Sequence, residues 1–588
     1  MIMAMRMLKR TWMAAFLMTL SFPVFAQVTI DGRIPVYDSR TKTYLLTLPE
    51  SAFGGAYQAA VVADDGVTNV KIDGHVLDDV VDFPLVSGDT CYSFVFKRGG
   101  RTTRSKLYFT YLPILVLNGT FSNDYVETSL QMIDPDSAGV SNYLARVKWA
   151  GSTTNGTWTH KRSYHIKFID DNGEKMDVSF FGLRDDNHWR LDAGTIDMIR
   201  FRNKAACELW ADFNTKSYYA DRQPEARSYV RGSHMEVFLN GAYNGFYNMS
   251  EVLDRKQMKL KKYSEVSIGD STEIEMRGLL WKAKEETLQT LFRQAEDYDN
   301  TQDSWGGFEL EYPDLEEVSP TDYSVLYNAV DFVASSDKQI FANLVGDYFD
   351  IPVLVDYYVF INTVFAIDNA CKNIIWGCYD SKKDKKLTLA VWDLDATVGQ
   401  HYSDIEGHYR SDEIQPENEL DQISQNTCLL YLNKLFSRLK SQPDFYLRVV
   451  NRYWELRETV LDPDSLVNRY TRIYQRLQAC GALDREEVRW SDTGDIAHRM
   501  LDFDDELDYL CDWLRRRIAY MDTHTFACLR GDVNDDGKVN ITDVTMLLEY
   551  LLTGELITPF NGLNADFNAD NKLNITDVTG LIYKILNE

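Results

Sequence analysis

Asp532-Val533-Asn534-Asp535-Asp536-Gly537-Lys538-Val539-Asn540-Ile541-Thr542-Asp543 is followed 34 residues later (566 against 532) by Asp566-Phe567-Asn568-Ala569-Asp570-Asn571-Lys572-Leu573-Asn574-Ile575-Thr576-Asp577. Each copy carries oxygen-bearing side chains at loop positions 1, 3, 5, 9 and 12. These are Asp532, Asn534, Asp536, Asn540 and Asp543 in the first copy, and Asp566, Asn568, Asp570, Asn574 and Asp577 in the second. Position 7, Lys538 or Lys572, offers its backbone carbonyl. Hard oxygens in that order wrap a calcium ion with six or seven ligands, so two calcium ions are expected. Position 6 must turn sharply, which Gly537 does freely and Asn571 can do in the left-handed region. Without a cation the carboxylates of each loop would repel one another, so folding of this segment should depend on metal. Each loop runs into an apolar helical stretch, Val544 to Leu552 and Val578 to Leu586. Residues 531–588 thus read as a small all-α calcium-binding module, and recurrence at a fixed spacing separates it from an Asp/Asn-rich turn.

Upstream of it the composition is that of a globular, modular protein. The chain has 588 residues, enough for about three or four domains, and its 45% apolar and 13% aromatic content is ample for buried cores. A net charge of -27 argues against nucleic acid, which needs a cationic face. Arg6, Lys9 and Arg10 precede an apolar run from Trp12 to Phe22 that is too short to span a bilayer, and Val24-Phe25-Ala26 suits signal cleavage. Residues 1–26 therefore read as a signal peptide and the mature chain as secreted, to the extracellular space, cell surface or periplasm. No later run approaches a membrane span. Eight cysteines are too sparse for a disulfide scaffold; Cys371 and Cys378 read as buried thiols.

From 27 to 111, short alternating runs such as Tyr44-Leu-Leu-Thr-Leu and Cys91-Tyr-Ser-Phe-Val-Phe, punctuated by Gly, Asp and Asn, predict a small antiparallel β-sandwich. From 112 to 526, strand-like segments (Tyr164 to Phe168, Met235 to Leu239) give way to helical patterns. These run over Val353–Phe365, Leu430–Leu439, Phe445–Leu461, Leu466–Leu477 and Asp504–Tyr520, and they predict an α+β, two-lobed body. Glu285 to Ser319 reads as a helix plus an exposed insertion, and Ser403 to Asn426 as a surface loop.

Two polar clusters interrupt the body. Asp368 and Asn373 stand five apart after a helical run, and Trp392-Asp393-Leu394-Asp395 closes a strand-like run. Kinases use such a layout: an Asp that accepts the hydroxyl proton, then an Asn and a later Asp that hold magnesium on the phosphates. Spacing alone leaves open that Asp393 and Asp395 merely end a strand.

The C-terminal loops end in Asp rather than Glu at position 12, with one helix after each, and so resemble the type I dockerin domain. That resemblance implies a cohesin module on a scaffold or surface protein as partner. Positions 10 and 11, Ile541-Thr542 and Ile575-Thr576, would be the contact pairs, usable in either of two orientations. Asn571 for Gly is the departure. In the body, Lys161-Arg-Ser-Tyr164-His-Ile-Lys167-Phe168, Asp197-Met-Ile-Arg200-Phe-Arg202-Asn203, Asn240-Gly241-Ala-Tyr243-Asn-Gly245 through Glu251, and Trp392-Asp393-Leu-Asp395 occur in order. This series resembles the CotH kinase family, the spore-coat protein H group, which has a divergent, atypical protein-kinase-like fold. The resemblance implies Asp368 as catalytic base, Asn373 and Asp393 on magnesium with Asp395 nearby, Lys161 or Lys167 on the phosphates of ATP, and Glu251 near the nucleotide. Exported proteins phosphorylated on Ser or Thr would be its substrates. Where the family has an Arg-Gly-Asn-Ser type loop, this chain has Trp149-Ala-Gly151-Ser152-Thr-Thr-Asn155-Gly156, so Gly and Ser persist and the Arg does not. Two other readings stay open: a non-catalytic binding protein of cell surface or scaffold, and a carbohydrate-active enzyme using Asp393 and Asp395 as paired carboxylates on one strand face.

Overall fold

The computed structural model describes residues 28–76, 79–151, 160–268, 271–313, 321–366, 368–400, 432–491, 501–555 and 559–587. The expected signal peptide, most of the Gly151–Gly156 segment and the Ser403–Asn426 segment lie outside the described residues. The chain forms two compact units, one from residues 1–200, 232–251 and 472–503, the other from 201–231, 252–471 and 504–588.

The first unit is built mainly of strands, with helix Ala482–Trp490 packed against strand Ala242–Glu251. Its N-terminal residues form a three-stranded sheet (Val28–Ile30, Tyr57–Ala63, Val80–Phe83) and a six-stranded sheet around Cys91–Arg98 and Arg101–Thr110. Alternation buries Tyr44, Leu46, Phe94, Phe96, Leu107 and Phe109 in one core. The sheet is not purely antiparallel. Thr43–Thr47 pairs in parallel with Arg101–Thr110, because the other strands of this region form the crossover between them.

Ile114–Leu117 then opens a closed barrel. It continues through Val126–Ile133, Ser141–Ala150, Ser163–Ile169, His188–Asp192 and Ala242–Glu251, and Gly232–Leu239 closes it by pairing in parallel with Ile114–Leu117. Leu130, Val147, Ile166, Phe168, Trp189 and Met249 fill its core. Closure leaves no free edge in this sheet.

The second unit joins helices to a five-stranded antiparallel sheet, in the order Ser304–Trp305, Phe308–Tyr312, Leu279–Ala283, Ile374–Asp380, Asp384–Val391. The expected helix within Glu285–Ser319 does not form among its described residues. Instead Gly306 and Gly307, both at positive φ, turn a hairpin, and Phe308, Leu310 and Tyr312 are buried between the more exposed Glu309 and Glu311. Helix Ile351–Val364 is buried almost throughout, and Trp210 packs its ring against Tyr357 and Phe360. Helices Pro443–Arg457, Pro463–Ala479 and Phe503–Tyr520 follow the predicted periodic stretches closely. Cys378 is a free buried thiol, but Cys371 is disulfide-bonded rather than a thiol, as an oxidising compartment permits.

At the C-terminus, helices Ile541–Thr553 and Ile575–Asn587 pack together around Val533, Val544, Leu547, Val578 and Leu581. No helix among the described residues is long and apolar enough to cross a membrane.

Candidate functional site

Helix Ile351–Val364 ends at Phe365, whose left-handed conformation swings the chain out of the helix toward Asp368. Five residues later Asn373, also left-handed, feeds strand Ile374–Asp380, and its N–H donates to the Ala283 carbonyl at 2.8 Å. The neighbouring strand ends at Val391, so Asp393 sits beyond it, again at positive φ. Residues held in this region of backbone space cost stability and collect where surrounding structure over-determines them, as at binding and catalytic sites.

Buried Asn369 ties these segments together, donating to the Trp392 carbonyl at 2.7 Å and the Asn373 carbonyl at 3.2 Å. On the other side of Asp393, the Leu394 N–H donates to Asn203 at 3.1 Å. Arg202, fully buried against Glu506 at 2.6 Å, holds the adjacent helix start. The Asp368 carboxylate accepts from the Asn373 amide at 2.9 Å and pairs with Lys372 at 2.6 Å, and its side chain remains 21% exposed. Burial raises its pKa above the usual carboxylate range; Lys372 opposes the shift, and the charge of Asp393 adds to it. Asp368, Asn373 and Asp393 thus come together in one place, with Asp395 half-buried two residues on.

Asp393 and Asp395 do not share a strand face, because the strand has already ended; the strand-alternation argument for a carboxylate pair therefore fails here. Lys372, Asn369 and Asn203 were not picked out from sequence as site residues. Lys372 had a signal, as the one cation inside the Asp–x4–Asn segment; the other two are recognisable only by whom they touch.

The donor set fits magnesium, which takes hard oxygens and completes its shell with water and phosphate rather than with a full protein cage. One amide oxygen and the nearby carboxylates are such a set. Among the described residues no cluster of three or more His, Cys, Asp or Glu is drawn together to hold a metal unaided.

The expected phosphate lysines lie in the first unit. Lys161 is wholly buried. Its ammonium donates to Glu486 and to the Phe246 carbonyl, each at 2.7 Å, while Arg200 reaches the same Glu486 oxygen at 3.0 Å. The other Glu486 oxygen accepts from the Phe246 N–H at 3.1 Å. Gly245 makes this approach possible, since a Cβ there would stand 2.1 Å from that oxygen. Burial pushes the Lys161 pKa down to about 8 against the pull of Glu486.

Lys167 lies on strand Ser163–Ile169 with its ammonium 4.8 Å from the Tyr125 ring centroid, and Lys148 stands at 4.6 Å from the same ring. Across the strands His165 pairs with Lys148 and Arg190, and Lys167 with His188. His165 and His188 are 3.1 Å apart; burial and the surrounding cations push their pKa values down to about 2 and 3. Glu251 is buried and accepts from the Arg184 N–H at 2.9 Å.

The C-terminal loops have the geometry their sequence requires. Gly537 and Asn571 both adopt positive φ at position 6. Asp532 accepts from the Asp536 and Gly537 N–H groups at 2.9 and 2.8 Å, and Asp566 repeats this with Asp570 and Asn571 at 3.1 and 3.0 Å. Asn540 caps its helix by accepting from Thr542 N–H, while Asp543 reaches back to the Asn540 N–H at 2.8 Å. Asp532 and Asp543 are buried together, as are Asp566 and Asp577. Paired buried carboxylates satisfied mainly by N–H groups call for a cation, so the residues fit calcium. Ile541, Thr542, Ile575 and Thr576 are exposed.

A family model described as CotH kinase protein matches residues 148–521, and one described as Dockerin type I domain matches residues 530–586. The first two barrel strands and the N-terminal sheets precede the former match. No curated protein matches this chain.

Proposed function

The chain belongs to the CotH kinase protein family and ends in a calcium-binding, cohesin-binding dockerin, and from that premise we propose that it is a secreted atypical protein kinase that phosphorylates Ser or Thr of exported proteins while tethered to a cohesin-bearing scaffold. The observation that carries this reading is the junction of Asp368 and Asn373, from one loop, with Asp393, from the end of a strand. Asp368 is the base: its carboxylate, held by the Asn373 amide and partly open to solvent, accepts the proton of the attacking hydroxyl. Asn373 and Asp393, with Asp395 nearby, would hold magnesium, which when bound neutralises charge on the phosphates. Lys372, its ammonium 2.6 Å from the Asp368 carboxylate, opposes the rise that burial gives the pKa of the base.

For phosphate binding Lys167 is favoured over Lys161. Lys167 stands in a cationic strip with Lys148 and Arg190, and among the described residues no carboxylate pairs with Lys167 or Lys148. Lys161 spends its charge on buried Glu486 and supports the barrel wall from within. Glu251, buried on Arg184, supports the same wall.

The test is transfer of radiolabel from ATP by purified residues 27–588, compared with Asp368→Ala and Asp393→Ala. Incorporation that both substitutions abolish supports the kinase. No incorporation by the wild-type chain, into itself or co-secreted proteins, overturns it in favour of a non-catalytic binding body.

A further inference from the structure

The two calcium loops are near-copies in sequence, yet their surroundings differ. In the first, the Asp532 carboxylate accepts only from N–H groups of its own loop. In the second, the position-1 carboxylate of Asp566 has an additional donor from outside the repeat. Asn451, buried on helix Pro443–Arg457 of the body, donates from its amide nitrogen to Asp566 Oδ2 at 2.6 Å and to Asn571 Oδ1 at 3.1 Å. Arg530 locks that amide in place: one guanidinium nitrogen donates to Asn451 Oδ1 at 2.5 Å and another to the Asp566 carbonyl at 2.6 Å. The short helix Gly562–Ala565 packs on the same body helix, and beside the contact a cavity of about 640 Å³ is lined by Arg448, Arg452, Glu455 and Asn571.

We propose that the second calcium site is completed by the body: Asn451 orients its first ligand, and calcium there latches the C-terminal module onto helix Pro443–Arg457. The inference rests on the dockerin reading of the loops. Asp566 Oδ1 accepts only from the Asp570 N–H, whereas Oδ2 is engaged by both Asn571 N–H and Asn451. Asn451 thus adds a second donor on Oδ2 and leaves Oδ1 with the single N–H contact that Asp532 Oδ1 also has. An outer partner of this kind sets the orientation and basicity of a metal ligand, and its loss typically costs 10–100-fold in affinity. Asn571 acquires a reason as well. Gly at position 6 would serve the turn, but only a side chain at that position can reach Asn451. Because coupling is reciprocal, whatever factor docking adds to calcium affinity, calcium adds to docking. Ile541-Thr542 and Ile575-Thr576 stay exposed in the docked arrangement, so the latch leaves both cohesin-contact pairs accessible while fixing where the body stands relative to them.

The experiment is calorimetric calcium titration of the full chain, wild type against Asn451→Ala and Arg530→Ala, with a pair of spin labels on helix Pro443–Arg457 and helix Ile575–Asn587. The wild type is expected to bind two calcium ions. Asn451→Ala should weaken one site about ten-fold or more and leave the other within about two-fold, and Arg530→Ala should move the same site in the same direction. In the wild type the label distance should narrow to a single value with calcium and broaden in chelator; in Asn451→Ala it should stay broad. Two sites whose affinities ignore both substitutions, or a label distance indifferent to calcium, would overturn the latch. Failure of the wild type to bind any calcium would instead overturn the dockerin reading itself. Far-ultraviolet circular dichroism of each variant separates a lost latch from a lost fold.

Discussion

Replacing Lys161 by Met removes one charge from a fully buried set while keeping nearly all of the side-chain volume. In the wild type, Glu486 is compensated by Lys161 at 2.7 Å, by Arg200 at 3.0 Å and by the Phe246 N–H at 3.1 Å. Breaking a buried pair by removing one partner costs about 3–5 kcal/mol, because the survivor keeps its desolvation penalty. Here Arg200 remains on the carboxylate, so the lower end, about 3 kcal/mol, is expected for Lys161→Met. For a unit of this size that corresponds to a drop of roughly 6–12 °C in its melting temperature, at about 2–4 °C per kcal/mol. Glu486→Gln alone strands two buried cations, Lys161 and Arg200, and in the Lys161→Met background it strands only Arg200, so the double variant should lose less than the sum of the two single losses. The neutral amide can still accept from the Phe246 N–H, and Arg200 keeps the carbonyls of Gly194 and Thr195. The two substitutions should therefore be coupled by about 2 kcal/mol. The assay is scanning calorimetry of the four proteins of the cycle, with phosphotransfer measured well below the lowest transition. A Lys161→Met melt within about 1 °C of wild type, or strictly additive losses, would refute the argument that this lysine is a buried structural charge.

Lys372→Met removes the cation that opposes the upward shift of Asp368, so the acidic limb of the phosphotransfer pH profile should move to higher pH; an unmoved limb would detach Asp368 from the limiting ionisation. His165 and His188 are held neutral when folded, with pKa values near 2 and 3 against 6.5 unfolded. The unfolded chain therefore binds protons the folded one refuses, and their contribution to stability is complete above pH 6.5 and falls away as the pH drops toward those values. His188→Gln should flatten the loss of urea stability between pH 6.5 and 4.5 by up to about 1.4 kcal/mol per pH unit; an unchanged slope would count against it. Gly537→Val places a β-branched residue at φ +79° and should weaken one of the two calcium sites in a titration without disturbing the other.

Some of this architecture was legible because it depends on neighbours in the chain. The calcium loops read cleanly: their ligands, their position-6 turns and their helix caps all fall within a dozen consecutive residues, where spacing is geometry. Helices Ile351–Val364, Pro443–Arg457, Pro463–Ala479 and Phe503–Tyr520 announced themselves by period, whereas the short helix Ala482–Trp490 did not. The hairpin around Gly306-Gly307 was missed because charged residues masked a period-2 pattern, with Phe308, Leu310 and Tyr312 alternating against Glu309 and Glu311.

The candidate site divides along the same line. Chain order already carried Asp368, Asn373 and Asp393 as residue types suited to proton transfer and to hard cations, since local spacing and oxygen chemistry are properties of the sequence. Their convergence is another matter. It depends on Asn369 and Asn203 tying a loop to a strand end, on left-handed turns at Asn373 and Asp393, and on Asp393's charge reaching Asp368. So does the fate of Lys161, which the resemblance offers as a phosphate lysine and folding turns inward onto Glu486, more than three hundred residues away. The unequal surroundings of the two calcium loops arise in the same way, from Asn451 on a helix more than a hundred residues before its partner. Contacts at that separation follow from how elements pack, and no local period records them.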